Sequence, residues 1–319
     1  MYSQIAKKIE ESNNIAILSH VMPDGDNIGS SLALYNALTD MNKKAAFILD
    51  GDVPYVYAFL RGSNLIRKPG IEDDFDLAVV LDCGDAERLG ATISYINGKQ
   101  VIIMDHHISN KGFGDINLID VNASATGELV YNLLKELRFH ISKSVAECLY
   151  TAIVTDTGMF QYSNTTDITH QIAAELIKSG VSPSEMFQRI YQSQPKSKVL
   201  LVKKALESLE FYENDSISCI SLTQEQIDET GATASDTENI INYGRDIDKV
   251  EVAILLKELE KGKVKVSFRS KNRVDVCAVA MTFGGGGHTR ASGCTINDSI
   301  ENAKQLAVRA VINEMHGGE

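Results

Sequence analysis

Short apolar runs alternate with segments of helical periodicity in the first half of the chain. Three of these runs are rich in β-branched side chains, which indicates strands buried on both faces: residues 15–18, 77–81 and 101–104. Between the first two, Ile28, Leu32 and Tyr35 recur at helical spacing, which predicts a helix from about Asn27. The alternation favours βαβ units and therefore an α/β domain, a parallel sheet with helices on both faces.

Helical patterns continue after the third run. Leu129, Leu133 and Leu137 lie on one face of a predicted helix. Residues 145–153 form a second apolar helix, whose capping box is predicted to begin at Ser144.

A pair of polar helices marks the end of the first domain. Ser182 and Glu185 form another capping box with Pro183 at the first helical position, which predicts a helix to about Tyr191. A further helix is predicted over residues 195–212, and the pair, rich in Gln, Lys and Ser, indicates a helical linker. The predicted order is a first domain over 1–185, a linker over 186–212 and a second domain over 213–319.

A smaller α+β domain is predicted after the linker. Its strands are expected at residues 217–222, 251–256 and 263–269, and its last helix at about 299–314. The third strand alternates, so Lys265, Ser267 and Arg269 share one face and apolar side chains share the other. A glycine-rich loop at residues 284–287 comes before the last helix.

The charge of the chain excludes one class of partner. The 319 residues carry a formal net charge of −12, with 14 Lys and Arg against 24 Asp and Glu in residues 1–185 and 17 against 19 in the rest. A protein that tracks long nucleic acid needs a basic stripe, because each neutralised phosphate takes a Lys or Arg. No long duplex is expected as a partner, and a phosphate ligand is expected to be small.

The cysteines and the hydropathy of the chain indicate the cellular compartment in which the protein folds. The five cysteines are odd in number and are nowhere spaced as Cys-x-x-Cys, so neither a disulfide framework nor a cysteine zinc site is expected. No apolar run approaches the roughly 20 residues that cross a bilayer. The polar N-terminal segment lacks the apolar stretch of a signal peptide. A soluble cytoplasmic protein without a membrane partner is expected.

Acidic and imidazole side chains follow each of these predicted strands of the first domain. They are His20, Asp24 and Asp26 after the first strand, Asp82 after the second, and Asp105, His106 and His107 after the third. Open α/β sheets bind ligands at the carboxyl ends of their strands, so these groups are expected to converge. Asp156, just past an apolar helix, is expected to join them.

Crowded carboxylates favour bound cations. Carboxylates in one cluster raise each other's pKa unless positive charge neutralises them. Two divalent ions would balance four of them: Asp24, Asp26, Asp82 and Asp156. Taken singly, an aspartate after a strand is more often a turn residue or an N-cap, and a histidine pair in a loop is more often solvated. The coincidence at all these strand ends favours a dinuclear metal site.

The same residues carry a family resemblance, which covers nearly the whole chain. In order, they resemble the four motifs of the DHH phosphoesterase superfamily: residues 20–30, Asp82, Asp105-His106-His107 and Asp156. Residues 284–288, with 291–293 behind them, resemble the glycine-rich motif of the DHH-associated C-terminal domain. Within the superfamily, the compact size and Ser267-Phe268-Arg269-Ser270 resemble nanoRNase/pAp phosphatases of the NrnA type.

The resemblance implies two metal ions. The ligand sets would be His20, Asp24 and Asp82 for one ion, and Asp26, Asp82, His106 and Asp156 for the other. The catalytic residues would be Asp82, which bridges the ions, Asp105, which orients a ligand, and His107, which contacts the phosphate or protonates the leaving oxygen. Mixed imidazole and carboxylate ligands suit Mn²⁺, with Mg²⁺ or Co²⁺ as substitutes.

The resemblance also implies residues that bind the substrate: Arg88, Arg269, Gly286, Gly287, His288 and Arg290. Glycine amides can approach a phosphate closely, although a glycine run by itself is more often a flexible loop. For Arg88 and Arg269 the alternative is a solvated surface cation. Asn122 and Ser124 are expected to line the cleft, with helix capping as the alternative for Ser124, and Cys83 is expected to be a small buried residue. Because metal ligands and substrate residues belong to different domains, an interdomain active site is expected.

The implied function is an Mn²⁺-dependent phosphoesterase with a two-metal mechanism. It would hydrolyse short oligoribonucleotides to mononucleotides and dephosphorylate pAp (3′-phosphoadenosine 5′-phosphate). The alternatives are a linear or cyclic dinucleotide phosphodiesterase and a family II inorganic pyrophosphatase, whose C-terminal domain carries an Arg-Lys cluster instead of the glycine-rich motif. A non-enzymatic binding module would have lost a ligand position, and none is lost here. Homodimer formation and the polarity of degradation stay open.

Overall fold

The computed structural model describes residues 1–70, 74–237 and 239–317, and for residues 234, 235 and 288 it describes the backbone alone. The chain divides into two compact units, Met1–Ser193 and Gln194–Glu319. Within the described ranges, no helix is both long enough and apolar enough to cross a bilayer.

A parallel sheet forms the centre of the first unit. Its strands are β1 (Asn14–Ser19), β2 (Lys44–Ile48), β3 (Leu77–Leu81), β4 (Gln100–Asp105) and β5 (Ile116–Ile119). They lie in the order β2-β1-β3-β4-β5, and each neighbouring pair is parallel, which confirms the predicted sheet. After β1 the chain places β2 on one side of it, and then places β3, β4 and β5 on the other side. The strand order therefore reverses between β1 and β3.

Helical segments cover both faces of this sheet. The α-helices are α1 (Tyr2–Glu11), α2 (Gly25–Asp40), α3 (Thr126–Glu136), α4 (Lys143–Asp156), α5 (Asp167–Lys178) and α6 (Pro183–Tyr191). They pack on the face that carries Ile15 and Ile17 of β1. The opposite face, with Ala16 and Leu18, packs against the 3₁₀ segment Glu87–Ile96. Alternate residues of one buried strand thus supply two cores.

Two glycines let α2 and α4 approach each other closely. Gly25 and Gly29 are four residues apart and lie on the same face of α2. A Cβ atom on Gly29 would lie 2.6 Å from the carbonyl oxygen of Cys148, and one on Gly25 would collide with the side chain of Thr155. Larger residues would push the helices apart, so the glycines set the distance between the start of α2 and the end of α4.

The starts of α2 and α4 differ from the predicted ones. α2 begins at Gly25 rather than Asn27, because the side chain of Asp24 accepts a hydrogen bond from the backbone N–H of Asn27 at 3.0 Å. The capping box predicted at Ser144 is wrong, because α4 begins directly after Ser142. The Ser142 hydroxyl does not cap the helix and lies 3.3 Å from the Ser144 hydroxyl.

A mixed sheet forms the centre of the second unit. Its strands are β6 (Glu210–Tyr212), β7 (Ile217–Leu222), β8 (Val252–Glu260), β9 (Lys263–Ser270), β10 (Gly286–His288) and β11 (Ala291–Ile296). The order is β10-β11-β9-β8-β7-β6, with β7 and β8 parallel and the other pairs antiparallel. The helices are α7 (Lys196–Glu207), α8 (Gln224–Thr230), α9 (Ile240–Arg245), α10 (Val276–Met281) and α11 (Ile300–Met315). This is the predicted α+β arrangement.

The two faces of the second sheet bury different helices. Val264, Val266 and Phe268 of β9 face a core that includes α10 and α11. On the opposite face, Ala253 and Leu255 of β8 pack against α7, α8 and α9. The helices of the second face therefore cover β7 and β8, and α9 contacts β9 as well.

Two predictions of local structure in this unit are wrong. The helix predicted to reach Tyr212 ends at Glu207, because Glu210–Tyr212 pairs with β7 as an edge strand. Part of the predicted glycine-rich loop is the strand β10, which pairs with β11. A Cβ atom on Gly287 would lie 2.5 Å from the carbonyl oxygen of Ala291, so glycine allows this close pairing.

Candidate active site

Three strands of the first sheet end at the same level. Ser19 of β1 pairs with Leu81 of β3, and Leu81 pairs with Met104 of β4. The residues that come next are His20, Asp82 and Asp105. They lie at the carboxyl edge of the sheet, where the strand order reverses and ligands of open α/β sheets bind.

The helices α2 and α4 add carboxylates to this edge. Asp24 is the N-cap of α2, Asp26 lies in its first turn, and Asp156 is the last residue of α4. The close approach at Gly25 and Thr155 brings these two helix ends together. Asp24 is therefore an N-cap, as one of the two interpretations predicted. It also lies close to His20 and Asp82, as the metal-site interpretation predicted.

Asp82 lies at the centre of the cluster. Its Oδ2 lies 3.5 Å from Nε2 of His20, and its Oδ1 lies 3.7 Å from Nε2 of His106 and 3.6 Å from Nδ1 of His107. The hydroxyl of Thr126 donates to Oδ1 at 3.2 Å. One buried carboxylate thus faces three imidazoles.

His106 connects Asp82 to a second pair of carboxylates. Its Nε2 lies 3.7 Å from Oδ2 of Asp26 and 3.6 Å from Oδ2 of Asp156. Among the described residues, the groups whose donor atoms lie close enough to hold a metal ion are His20, Asp24 and Asp82; Asp26, His106 and Asp156; and Asp82, His106 and His107. The structure therefore brings together all the residues that the sequence nominates as ligands.

Backbone carbonyls fix the orientation of two imidazoles. Nδ1 of His20 lies 2.7 Å from the carbonyl oxygen of Val21, and Nδ1 of His106 lies 3.2 Å from that of Ala123. A carbonyl can only accept, so Nδ1 carries the proton in each ring. In the neutral ring the lone pair of each Nε2 faces carboxylate oxygens, which is the arrangement of a metal-binding histidine.

The carboxylates are poorly neutralised by the protein itself. Burial, with the nearby charges of Asp82 and Asp156, raises the pKa of Asp26 well above its usual value. Burial also raises the pKa of Asp156 to about 7. Burial alone would raise the pKa of Asp82, but the hydrogen bond with His20 and the charge of the histidines hold it below its usual value. Divalent cations would let Asp26 and Asp156 ionise beside the ionised Asp82, so this donor set fits bound metal.

Asp105 orients the second histidine of the pair. Its Oδ1 accepts from Nδ1 of His107 at 2.7 Å, and this hydrogen bond raises the pKa of His107 to about 9. Its Oδ2 accepts from Nδ2 of Asn110 at 2.6 Å, and Asn110 also donates to the carbonyl of Cys83 at 3.1 Å. Asn110 is not among the residues that the sequence nominates. The one signal for it is its place three residues after His107.

The N-terminus of α3 holds the carboxylate of Asp26 in place. The backbone N–H groups of Thr126 and Gly127 donate to the carboxylate of Asp26 at 2.6 and 2.9 Å. These N–H groups lie in the first turn of the helix and have no partner within it. Neither residue is among those that the sequence nominates. Ser124 does not cap this helix, because its hydroxyl donates to the carboxylate of Glu128 at 2.5 Å.

The structure also places three other residues of the first unit that the sequence singled out: Arg88, Cys83 and Asn122. Nη2 of Arg88 lies 3.3 Å from Nδ1 of His20, and its carbonyl accepts from the N–H of Val21 at 2.8 Å, so Arg88 borders the cluster. Cys83 is buried, and burial raises the pKa of its thiol to about 12, which fits a small inert residue. Asn122 is exposed in the turn before α3.

The substrate-binding candidates of the second unit lie at one end of its sheet. They are Arg269, Gly286, Gly287, His288 and Arg290. Ala291 of β11 pairs with Arg269 on one side and with His288 on the other. The guanidinium of Arg290 donates to the carbonyl of Val274 at 2.8 Å. Strand pairing thus brings these candidates together within the unit.

Comparisons with known proteins identify the family. Residues 14–153 match the DHH family, N-terminal domain, and residues 217–317 match the DHHA1 domain. The chain is 32% identical to the "Bifunctional oligoribonuclease and PAP phosphatase NrnA" of Thermus thermophilus, over 99% of this chain and 94% of that protein. The chain belongs to the DHH phosphoesterase family. The resemblance seen in the motifs is confirmed.

Other proteins share the full length of this DHH phosphoesterase. The NrnA protein of Bacillus subtilis, with the same printed description, is 28% identical over 96% of this chain and 97% of its own. A crystal structure of an exopolyphosphatase-related protein from Bacteroides fragilis superposes with a TM-score of 0.91 at 28% identity, covering 98% of this chain and 95% of that one. The DHH phosphoesterase is thus a hydrolytic enzyme.

Proposed function

We propose that this DHH phosphoesterase hydrolyses short oligoribonucleotides to mononucleotides and dephosphorylates pAp. The observation that carries the proposal is the complete cluster around Asp82, in a chain that matches oligoribonuclease and pAp phosphatase relatives over nearly its full length. In this proposal residues 1–185 are the catalytic domain, residues 213–319 bind the substrate, and residues 186–212 link them.

The metal ligands in this proposal are His20, Asp24 and Asp82 for one ion, and Asp26, Asp82, His106 and Asp156 for the other. The mixed imidazole and carboxylate donors favour Mn²⁺, with Mg²⁺ or Co²⁺ as substitutes. Bound divalent ions supply a water of lowered pKa and neutralise charge on the phosphoryl oxygens. The protein's part is to hold the donors at fixed separations, through the strand register and the contact of α2 with α4.

His107 is the acid in this proposal. Its Nδ1–H is held by Asp105, and this hydrogen bond favours the doubly protonated ring, which carries a second proton on Nε2. That proton can be donated to a phosphate oxygen or to the leaving oxygen of the nucleotide. Asn110 holds the other oxygen of Asp105 and so keeps the carboxylate in place.

The substrate contacts come from Arg88 in the first unit and from Arg269, Gly286, Gly287, His288 and Arg290 in the second. Arginines suit phosphate because their guanidinium groups donate two parallel hydrogen bonds. The glycines let a phosphate approach the backbone amides closely. We place the enzyme in the cytoplasm, where its free cysteines, Cys83, Cys148, Cys219, Cys277 and Cys294, would stay reduced.

A substrate panel tests this function. The purified chain is incubated with Mn²⁺ and an RNA trimer, an RNA pentamer, pAp, the linear dinucleotide pApA or pyrophosphate. Mononucleotides from both RNAs and AMP from pAp are expected, with no hydrolysis of pyrophosphate. Faster hydrolysis of pyrophosphate than of RNA would contradict the proposal, and so would cleavage confined to pApA. An Asp82→Asn preparation made in parallel controls for contaminating nucleases.

A further inference from the structure

One asparagine in the connection between α4 and α5 joins two segments of the first unit. Nδ2 of Asn164 lies 3.0 Å from the carbonyl oxygen of Ser124 and 3.1 Å from that of Asp156. A carbonyl oxygen can only accept, so the amide nitrogen faces both carbonyls and donates one hydrogen to each. Asn164 therefore links the last residue of α4 to the segment that precedes α3.

This segment, residues 123–127, holds three members of one candidate donor set. Its first carbonyl lies 3.2 Å from Nδ1 of His106. Two of its backbone N–H groups donate to the carboxylate of Asp26, and its threonine hydroxyl donates to that of Asp82. The carbonyl of Ser124, which accepts from the asparagine, belongs to the same segment. A group that is bound to Ser124 is therefore bound to the frame of this donor set.

Asp156 is the carboxylate of that set that packing holds least. Its side chain is 32% exposed, against 1% for Asp26 and 2% for Asp82. It is the last residue of α4, and the chain then leaves the helical conformation, because residues 158–160 have φ values of 53°, 60° and 65°. The last carbonyls of a helix have no partner within it. The hydrogen bond from Asn164 gives the carbonyl of Asp156 a partner from outside the helix.

The oxygen of the Asn164 amide makes no comparable contact. Within the described part of the chain, Oδ1 is buried and has no hydrogen-bond partner, which is unfavourable for a polar atom. The two hydrogen bonds from Nδ2 are therefore the favourable polar contacts of this side chain. Both go to backbone carbonyls, and they fix the positions of these carbonyls relative to each other.

We propose that Asn164 is a positioning residue of the candidate active site, which sets the distance between the carboxylate of Asp156 and the rest of its donor set. The inference rests on the proposed function, because it acts through the metal ligands assigned there. Without the two hydrogen bonds, the end of α4 can move away from residues 123–127. Nε2 of His106 and Oδ2 of Asp156 then lose their separation of 3.6 Å. Groups that hold metal ligands in place typically contribute about 10- to 100-fold to metal affinity.

The two ions should respond differently to the loss of Asn164. Asp156 is a candidate ligand of one ion, together with Asp26 and His106. The ion at His20 has a donor set without Asp156, so its affinity should not change. A residue that only stabilised the fold would change the affinity of both ions alike or of neither.

Calorimetric titration of the metal-free protein with Mn²⁺ tests this difference. Asn164→Leu keeps the branching and the approximate size of the side chain and removes both donors. One ion should bind as in wild type, and the other should bind about tenfold or more weakly. Thr165→Val is the matched control, because it removes a neighbouring buried hydroxyl that has no hydrogen-bond partner among the described residues. This control should bind both ions like wild type.

The possible results of the titration decide the inference. Unchanged affinity of both ions in Asn164→Leu, or an equal loss at both, would overturn it, and so would a wild type that binds a single ion. Circular dichroism checks that the variant is folded. If Asn164→Leu does not fold, Asn164→Ala replaces it in the same titration. If neither variant folds, Asn164 is needed for the fold as a whole and the inference is wrong.

Turnover gives a second readout and separates the inference from the function on which it rests. In Asn164→Leu, the Mn²⁺ concentration for half-maximal hydrolysis of an RNA trimer should rise about tenfold or more. KM for the trimer at saturating Mn²⁺ should stay that of wild type, because Asn164 acts on the metal ligands and not on the substrate, and a raised KM would contradict the inference. If the titration shows the weakened ion but wild type hydrolyses no RNA, the proposed function fails and the positioning role stands.

Discussion

Nε2 of His20 lies 3.5 Å from Oδ2 of Asp82 because of the register of two strands. Ser19 and Leu81 are direct partners in β1 and β3, so the next residue of each strand leaves the sheet at the same level. A slip of one residue would turn one of these side chains toward the other face of the sheet. The pairing that buries the apolar faces of the strands therefore also positions the centre of the candidate active site.

Removal of the shared carboxylate should affect both metal ions. Asp82 contributes to the donor set of His20 and faces His106 of the other set, so Asp82→Ala is expected to bind almost no Mn²⁺. His20→Ala should keep about one of the two ions. Calorimetric titration with Mn²⁺ measures the stoichiometry. Asp52→Asn, at an almost fully exposed carboxylate, is the control. Two ions retained by Asp82→Ala would contradict a shared ligand.

The proton on His107 should depend on Asp105. Asp105→Asn replaces the carboxylate that raises the pKa of His107, so this pKa should fall from about 9 toward the usual value of about 6.5. The imidazole resonances can be titrated by NMR in the metal-free protein. An unchanged His107 pKa would show that Asp105 does not hold its proton.

A larger residue at Gly29 should not be tolerated between α2 and α4. A Cβ atom on Gly29 would lie 2.6 Å from the carbonyl of Cys148 and 2.7 Å from the backbone nitrogen of Ala152. Gly29→Ala is therefore expected to lower the free energy of unfolding by about 1 to 3 kcal/mol and to reduce activity, by moving Asp156. Chemical denaturation measures the first effect. Gly51→Ala, where a Cβ meets only ordinary contacts, should cost little, and an equal cost at both sites would contradict this account.

Glu251 should make the stability of the second unit depend on pH. Burial alone would raise its pKa, but the backbone N–H groups of Arg273, Val274 and Asn272 donate to its carboxylate and hold the pKa below the usual value. The folded state thus binds this proton less readily than the unfolded state, and the stabilisation is complete above the unfolded pKa and lost as the pH falls through the folded one.

The measurement compares wild type with Glu251→Gln. The difference in free energy of unfolding should be constant above about pH 5 and shrink at lower pH. Glu229→Gln removes a surface ion pair with Lys204 and should show little difference at any pH. A difference for Glu251→Gln that grows as the pH falls would have the wrong sign for this interpretation.

The strands that carry the site can be predicted from the sequence because they are buried on both faces. Such strands are unbroken apolar runs, and the polar residue that ends each run marks the carboxyl edge of the sheet. The start of α6 at Pro183 is confirmed for a similar reason, because Ser182 caps it through its own side chain. Both signals lie within a few residues of the feature that they predict.

Features that depend on residues far apart in the chain could not be predicted from the sequence. β5 is half-buried along its whole length, and β6 is an edge strand of three residues, so neither carries a clear apolar pattern. Asn110 and Thr126 matter because the fold places them against Asp105 and Asp82. The sequence likewise does not predict the contact of Gly29 with α4, because a glycine within a helical pattern does not show which helix packs against it.

The rate of mononucleotide release from an RNA trimer tests the central claim, that the cluster around Asp82 is the catalytic centre of a metal-dependent oligoribonuclease. Wild type, Asp82→Asn and Asp52→Asn are purified alike and assayed with Mn²⁺ and again after chelation. Wild type and Asp52→Asn should release mononucleotides at similar rates with Mn²⁺ and stop on chelation, and Asp82→Asn should be slower by about a thousandfold or more. Release by Asp82→Asn at the wild-type rate, or release by wild type that persists in chelator, would contradict the account.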